Sequence, residues 1–105
     1  MYFVYILFSL QDRKLYIGYT TNLKRRYAEH QQGKVRSTTN RSPLKLIYYE
    51  VYACKGDAET REKYLKGGNG RSQLKIQLAQ IFKKLNYKYK YLSKVTQKSI
   101  TWFFE

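Results

Sequence analysis

The chain of 105 residues contains 21 lysines and arginines but only seven aspartates and glutamates, which gives a formal net charge of +14. This length allows one domain, and the 17% share of aromatic residues is too high for a chain that stays disordered. The one cysteine and one histidine exclude an internal disulfide and the usual Cys- or His-rich metal centres. The charge indicates nucleic-acid phosphate as the partner, with an anionic membrane surface or packing against RNA as alternatives.

The N-terminal segment predicts a β-hairpin. Residues 2–8 and 14–19 are rich in β-branched and aromatic side chains, and the polar residues 11–13 join them. Residues 1–10 are too short to span a membrane and have no basic lead-in, so they indicate a strand and not a signal peptide. We therefore expect a protein that is not secreted and that is located in the cytoplasm, the nucleoid or the nucleus.

A helix follows the hairpin. Thr20 or Thr21 is the expected N-cap, because a side-chain oxygen at this position accepts a hydrogen bond from the first helical turn. Leu23 and Tyr27 lie one turn apart on a single face, which predicts an apolar stripe with a basic flank. Gly33 is the expected C-terminal stop.

The middle of the chain predicts a loop, a strand and a second helix. Residues 33–43 are polar and basic and end in a proline, which is typical of a loop. Residues 45–52 are rich in β-forming side chains and predict a third strand. Asp57 is the expected cap of a helix that ends at the glycine pair 67–68.

The C-terminal third predicts a turn at Asn69–Gly70 and then the clearest helix of the chain, at residues 71–85, from the spacing of its leucines. The order ββαβαα predicts an α+β fold in which helices pack on a small antiparallel sheet. Residues 86–105 alternate tyrosine and lysine at 87–91 and carry the apolar Trp102, Phe103 and Phe104 near their end. They predict either a strand with a tyrosine face and a lysine face, or stacking tyrosines interleaved with phosphate contacts.

Carboxylates are few and scattered along the chain. A two-metal nuclease needs several of them converging on one site, because each divalent ion prefers hard oxygen ligands. If the protein cuts a phosphodiester, we therefore expect one metal ion held by one carboxylate, with phosphate and water completing its shell. The seven acidic residues are Asp12, Glu29, Glu50, Asp57, Glu59, Glu62 and Glu105.

Helical spacing selects candidates for the remaining chemistry. Arg26 and His30 are four residues apart on one face of the first helix, where Arg26 can pair with a phosphate and His30 can orient a nucleophile or a tyrosine. A solvated basic face with a half-buried histidine is the alternative. In the second helix, Ala58, Glu62 and Leu65 share a face, which turns Glu62 inward to pair with an arginine or to hold a metal.

Two tyrosines lie in the strands of the hairpin. Tyr5 and Tyr16 can point to the same side of the sheet. A tyrosine is a poor base at neutral pH because its reference pKa is about 10. Neighbouring cations or metal-bound water must therefore ease its deprotonation if it is to act as one.

These residues lie in four strings whose order and spacing resemble the GIY-YIG nuclease superfamily, and in particular its short single-domain branch. The strings are FVYIL, LYIGYTTNLKRRYAEH, LIYYE and AETREKYLKGGNGR, and the resemblance covers residues 2 to about 80. The second motif is intact at residues 16–18, and its Gly18 lets the backbone pass close to the sheet and to a ligand. The first motif, at residues 3–5, keeps the tyrosine but lacks the glycine.

The resemblance implies a three-stranded antiparallel sheet flanked by helices, and hydrolysis of a DNA phosphodiester with one divalent ion, Mg²⁺ or Mn²⁺. On this basis Glu62 holds the ion, which stabilises the leaving 3′ oxygen. Tyr16 activates the attacking water with help from His30. Tyr5 lines the site or hydrogen-bonds the scissile phosphate, and Arg26 neutralises that phosphate.

We expect residues 1–85 to form the catalytic domain and residues 86–105 to form a basic and aromatic extension packed on it. The leading interpretation is an endonuclease of DNA repair, recombination, restriction or mobility that binds DNA in a salt-sensitive manner, as a monomer or weak homodimer. Its targeting is expected to rely on an added domain or a partner protein. The alternative is a catalytically weak module that only binds nucleic acid. A membrane-surface role for the helix at 71–85 is disfavoured, because core packing explains its apolar face more simply. The expected DNA-binding residues are Lys24, Arg25, Lys34, Arg36, Arg41, Lys66 and Arg71.

Overall fold

The computed structural model describes residues 1–85, which form an antiparallel sheet with helices on both faces. The predicted α+β fold, the hairpin and the third strand are confirmed. The prediction for residues 86–105 lies outside the described residues. The elements in chain order are β1 (Tyr2–Ser9), β2 (Leu15–Thr20), α1 (Leu23–Gln31), β3 (Leu44–Tyr52), α2 (Lys55–Lys66), α3 (Gly68–Gln77) and α4 (Ala79–Leu85), with a 3₁₀ turn at Arg36–Thr38 before β3.

Strand β1 is the centre of the sheet, which has the strand order β2-β1-β3. Both neighbours run antiparallel to it, so Tyr5 lies opposite Gly18 on one side and opposite Tyr49 on the other. A register shift between Ile6 and Leu7 interrupts the pairing with β3. Among residues 1–85 the sheet therefore has β2 and β3 as its two edges, and the first motif occupies the middle.

The side chains of β1 alternate between two hydrophobic clusters, as the pleat of a strand requires. Val4, Ile6 and Phe8 face the layer formed by α2, α3 and α4. Tyr5 and Leu7 face α1 on the other side of the sheet. The larger cluster also contains Leu15, Ile17, Ala58, Leu65, Leu74, Phe82 and Leu85, and the smaller one contains Leu44 with Tyr16, Leu23, Tyr27 and Leu46 packed against it.

Helix α1 begins later than predicted. Asn22, and not Thr20 or Thr21, is its N-cap, because the Asn22 side-chain oxygen accepts a hydrogen bond of 3.0 Å from the backbone N–H of Arg25. The predicted stop is confirmed, since Gly33 follows the helix with a φ of +75° that few other residues adopt. The apolar face of α1 packs against the smaller cluster.

The boundary between α2 and α3 also differs in part from the prediction. Helix α2 begins after Cys54, so Asp57 is not its cap but lies in its first turn, where a negative charge favours the positive end of the helix dipole. The predicted end of α2 at Gly67 is confirmed. The turn predicted at Asn69–Gly70 is wrong, because the chain turns at the extended Gly67 and both residues already belong to α3.

Residues 71–85 belong to two helices and not to one. The backbone leaves the helical conformation at Leu78, where φ is −110° and ψ is 31°. Leu74 of α3 and Phe82 of α4 nevertheless pack into the same cluster on either side of this break. The apolar spacing that predicted one helix therefore reflects two consecutive helices that pack into the same hydrophobic cluster. Within residues 1–85, no helix combines the length and apolar character that crossing a membrane requires.

The loop of residues 33–43 is fastened to the hairpin. The Arg41 guanidinium pairs with the Asp12 carboxylate at 2.6 Å, and the Ser9 hydroxyl donates a hydrogen bond of 2.6 Å to the Arg41 carbonyl oxygen. Thr38, in the 3₁₀ turn of this loop, is completely buried. These contacts hold the loop beside the end of α1, where the candidate site lies.

Candidate active site

Tyr5 and His30 form a buried hydrogen-bonded pair. Tyr5 is on the central strand, His30 is in the last turn of α1, and each is at most 1% exposed. The Tyr5 hydroxyl oxygen lies 2.8 Å from Nε2 of His30, and Nδ1 of His30 lies 2.7 Å from the Thr38 hydroxyl oxygen. The Thr38 hydroxyl also lies 3.5 Å from the carbonyl oxygen of Val35. Both ring nitrogens of His30 therefore have a hydroxyl partner within hydrogen-bond distance.

Both members of this pair are uncharged at neutral pH. Burial, reinforced by the nearby Arg26, lowers the pKa of His30 to about 4. Burial, reinforced by Tyr16, raises the pKa of Tyr5 to about 12. A neutral imidazole hydrogen-bonded to a neutral phenol is thus the stable arrangement. Tyr5 is poorly suited to be a base, and His30 fixes the direction of the Tyr5 hydroxyl.

Tyr16 lies on the same side of the sheet as Tyr5, as its position in the hairpin predicts. Its ring centroid is 5.0 Å from that of His30, in an edge-on arrangement, and 6.2 Å from that of Tyr5. Gly18, directly opposite Tyr5, explains how the rings fit. A Cβ at Gly18 would lie 2.7 Å from the Tyr5 hydroxyl oxygen and 3.0 Å from Cε2 of Tyr16. The glycine of the second motif therefore makes room for the two tyrosines.

Arg26 borders the pair from helix α1, one turn before His30. Its side chain is 37% exposed, and its Nη1 lies 3.0 Å from the Glu29 carboxylate. The hydrogen bond to Glu29 raises the pKa of Arg26 against the opposing effect of burial, and the Tyr5 hydroxyl adds to the rise. Arg26 is therefore a permanent cation with one side against Tyr5 and one side open to a ligand.

Glu62 lies elsewhere in the fold. Helix α2 packs on the sheet face opposite to α1, so Glu62 is not in the Tyr5–His30 cluster. The predicted inward orientation holds in part: the side chain is 20% exposed, and its carboxylate pairs with Lys66 at 3.1 Å. Glu62 lines a cleft of about 430 Å³ with Tyr19, Gly56, Glu59, Thr60 and Lys63.

The cleft beside Glu62 contains oxygen donors of the kind that Mg²⁺ or Mn²⁺ binds. Glu59 and Glu62 supply carboxylates, and the Tyr19 hydroxyl donates a hydrogen bond of 3.4 Å to Glu59. Residues 1–85 hold no group of three or more His, Cys, Asp or Glu side chains suited to a metal ion. Carboxylate oxygens are suitable ligands for a divalent ion. Because the cleft offers only a few of them, an ion bound there would keep several water ligands.

The basic residues expected to bind DNA fall into two groups. Three of them lie outside α1 and the loop that follows it, or are bound to another element: Arg41 pairs with Asp12, Lys66 pairs with Glu62, and Arg71 donates to the Lys66 carbonyl oxygen. The others lie on the surface of α1 and of the loop that follows it. Arg25 is 65% exposed and 3.8 Å from Glu29, and the remaining exposed members are Lys24, Lys34 and Arg36.

A second polar network was not anticipated from the sequence. The Glu50 carboxylate accepts two hydrogen bonds of 3.0 Å from Arg61 and further bonds from Tyr48 and Tyr52. Burial alone would raise the pKa of Glu50, but these hydrogen bonds hold it below its usual value. The network fastens α2 to β3. The sequence signal that could have predicted this network is the alternation of Tyr48, Glu50 and Tyr52, which places all three side chains on one face of β3.

These features define the class of protein. The model of the GIY-YIG catalytic domain family matches residues 1–75, and the structure carries both tyrosine motifs on adjacent strands of a three-stranded antiparallel sheet. The chain therefore belongs to the GIY-YIG catalytic domain family, whose members form a nuclease superfamily that generally uses a divalent metal.

The relatives of the chain are small UPF0213 proteins, a single-domain branch of this family. The chain is 36% identical to a UPF0213 protein of Clostridium perfringens over 83% of its own length and 94% of that protein. It is 38% identical to one of Staphylococcus haemolyticus, over 71% of the chain and 92% of that protein. It is 43% identical to one of Streptococcus pyogenes, over 68% of the chain and 77% of that protein. No solved structure gives a significant match.

Proposed function

We propose that this protein is a metal-dependent DNA endonuclease that hydrolyses phosphodiester bonds with one divalent ion. The observation that carries the proposal is the hydrogen-bonded Tyr5–His30 pair, with Tyr16 against its rings and Arg26 beside it. The same group of side chains suits a bound phosphate.

Each side chain of the cluster has a role that follows from its environment. Arg26 pairs with the scissile phosphate and offsets the charge that develops in the transition state. Tyr16 activates the attacking water, aided by that neighbouring cation. Tyr5, held neutral, orients Tyr16 and the phosphate. His30 acts through Tyr5, because a pKa of about 4 leaves it uncharged and its Nε2 is occupied by the Tyr5 hydroxyl.

Glu62 is the residue that would hold the metal. A divalent ion bound there supplies electrostatic stabilisation for the leaving oxygen. Because β2 is an edge strand of the sheet that residues 1–85 form, a DNA backbone passing along it would have access to both faces of that sheet. Tyr16 and Arg26 then approach it from the α1 side, and Glu62 approaches it from the α2 side.

A cleavage panel tests this function. Single-stranded, duplex, nicked, flap and four-way-junction DNA are incubated with Mg²⁺, with Mn²⁺ or with EDTA. We expect cleavage that needs the metal, and we expect Glu62→Gln to abolish it while DNA affinity is largely kept. Glu59→Gln, in the same cleft, is the matched control and retains most activity. Undiminished nicking by Glu62→Gln would remove Glu62 from the mechanism.

The second candidate is a module that binds nucleic acid without cutting it. The placement of Glu62 favours this alternative, because its carboxylate is already paired with Lys66 on the sheet face away from Tyr5. Both candidates bind DNA in a salt-sensitive manner, so only metal-dependent nicking distinguishes them. We further propose a role in DNA repair or recombination, in the cytoplasm, the nucleoid or the nucleus, for a monomer or weak homodimer that a partner protein can target.

A further inference from the structure

We propose that Phe3, Tyr49 and Val51 form a stacking surface for an unpaired nucleobase next to the scissile phosphate. We call these three side chains the aromatic platform. The inference rests on the proposed nuclease function for the position of the phosphate. The proposal goes beyond that function by naming the class of ligand: a DNA strand in which one nucleotide lies outside the helical stack.

The platform continues the sheet face on which Tyr5 lies. Tyr49 is the cross-strand partner of Tyr5, so their side chains leave the sheet on the same side, with Cα atoms about 4.5–5.5 Å apart. Phe3 precedes Tyr5 by two residues and shares that side. The Phe3 and Tyr49 ring centroids are 6.2 Å apart, with the rings tilted by 55°. The platform and the candidate active site thus lie on the same face of the sheet.

Helix α1 leaves this part of the sheet open. It packs beside Leu7, Leu44 and Leu46, near the other end of the strands. Tyr49 remains 50% exposed and Val51 46% exposed, so residues 1–85 do not bury the platform. Exposed apolar side chains that lie together, rather than singly, mark binding surfaces.

The charge of the chain and the cation beside Tyr5 favour a nucleic-acid occupant. Arg26 interacts with the Tyr5 hydroxyl, and Tyr49 is the cross-strand partner of Tyr5, so a phosphate bound by Arg26 and the platform lie on the same face of the sheet. Cationic groups that hold the backbone and aromatic rings that hold the bases are the combination that binds unpaired strands. A paired base within a duplex offers only its edges, so a ring face can reach it only after it leaves the stack. A second copy of the chain is disfavoured, since it brings its own charge of +14.

The test uses the full-length chain and single-stranded oligonucleotides that carry 2-aminopurine at one position at a time, in EDTA. Stacking on an aromatic ring quenches 2-aminopurine fluorescence. We expect quenching at one or two adjacent positions for the unaltered chain and for Tyr49→Phe, which keeps the ring. Tyr49→Leu, which keeps the apolar bulk, should abolish the quenching and weaken single-strand affinity about tenfold. Its affinity for blunt duplex should stay the same.

Tyr64→Leu is the matched control, because Tyr64 is 42% exposed on α2, away from the platform, and its loss should change neither signal. The proposal is overturned if no position is quenched, or if Tyr49→Leu weakens duplex and single-strand binding equally. Sedimentation showing a dimer that Tyr49→Leu dissociates would assign the platform to a second copy. Quenching without any metal-dependent cleavage would instead overturn the nuclease function and leave the platform standing.

Discussion

The hydroxyl of Tyr5 and Nε2 of His30, 2.8 Å apart, join the central strand of the sheet to the last turn of helix α1. The bond is completely buried, and the Thr38 hydroxyl fixes the other side of the imidazole. The tyrosine of the first motif is therefore held in place by the fold itself. In the proposed nuclease, preorganisation of this kind removes the cost of orienting the group during the reaction.

The first prediction concerns the pH dependence of stability. The pKa of His30 is about 4 in the folded protein and 6.5 in the unfolded chain, so the unfolded chain binds the proton first as the pH falls. The contribution of the neutral, buried His30 to the free energy of unfolding is fully present above pH 6.5 and is lost as the pH falls toward 4. It amounts to roughly 3 kcal/mol. Urea unfolding of the wild type and of His30→Gln across this range measures it. Parallel curves for the two proteins would contradict the assignment.

Gly18→Ala should displace Tyr5. The added Cβ would meet the Tyr5 hydroxyl oxygen at 2.7 Å, and Tyr5 cannot easily move because it is buried and bonded to His30. We expect a loss of about 1–3 kcal/mol in the free energy of unfolding, together with a loss of cleavage. Tyr5→Phe removes the hydroxyl oxygen, which is the atom nearest to the added Cβ. The double variant Gly18→Ala/Tyr5→Phe should therefore lose less unfolding free energy than the sum of the losses in the two single variants. Strict additivity would show that the clash is relieved elsewhere.

Arg26→Ala should slow cleavage by about 10²–10³-fold, which is the loss seen when one donor to a transition state is removed. Arg26→Lys should recover little, because an ammonium cannot pair with a phosphate in bidentate geometry. The neighbouring Arg25, at 65% exposure, is the control. Arg25→Ala should raise KM and leave kcat nearly unchanged. Single-turnover kinetics separate the two effects, and equal kcat losses at both positions would argue against a special role for Arg26.

Arg61→Met should destabilise the protein by about 2 kcal/mol. It removes two charge-assisted hydrogen bonds to Glu50 and leaves that half-buried carboxylate short of partners. Lys66→Met breaks the more exposed pair with Glu62 and should cost less than about 1 kcal/mol. Chemical denaturation of both variants makes the comparison. If Lys66→Met lowers the free energy of unfolding more than Arg61→Met does, the Glu50–Arg61 contact is not the main polar contact that fastens α2 to the sheet.

Gly70→Ala should cost more than about 3 kcal/mol or prevent folding. Its Cβ would overlap the Tyr64 carbonyl oxygen and lie 2.6 Å from Cα of Leu65, so α3 would have to move away from α2. Gly56→Ala, also within a helix, meets nothing within 4 Å and should stabilise by about 0.5–1 kcal/mol through helix propensity. Thermal unfolding by circular dichroism distinguishes them, and similar effects at the two glycines would contradict this account.

The sequence predicted elements better than their boundaries. The hairpin, the third strand and the amphipathic helices were predictable because alternation and helical spacing are local properties of the chain. The cap at Asn22 was missed because three neighbouring polar residues, 20–22, can each cap a helix, and only the direction of the chain after β2 selects one. The division of residues 71–85 at Leu78 was missed because both helices contribute apolar residues to one core face.

The sequence by itself determined the charge, the α+β class and the identity of the motif residues Tyr5, Tyr16, Arg26 and His30, since each depends on residue type and short spacing. Only the tertiary structure decided which of them meet and in what protonation state. Residues 25 positions apart in the chain, such as Tyr5 and His30, come together through packing of α1 on the sheet, and burial then shifts both pKa values. The placement of Glu62 on the opposite sheet face was likewise decided by packing, because helical spacing shows which side of a helix turns inward but not which sheet face that side meets.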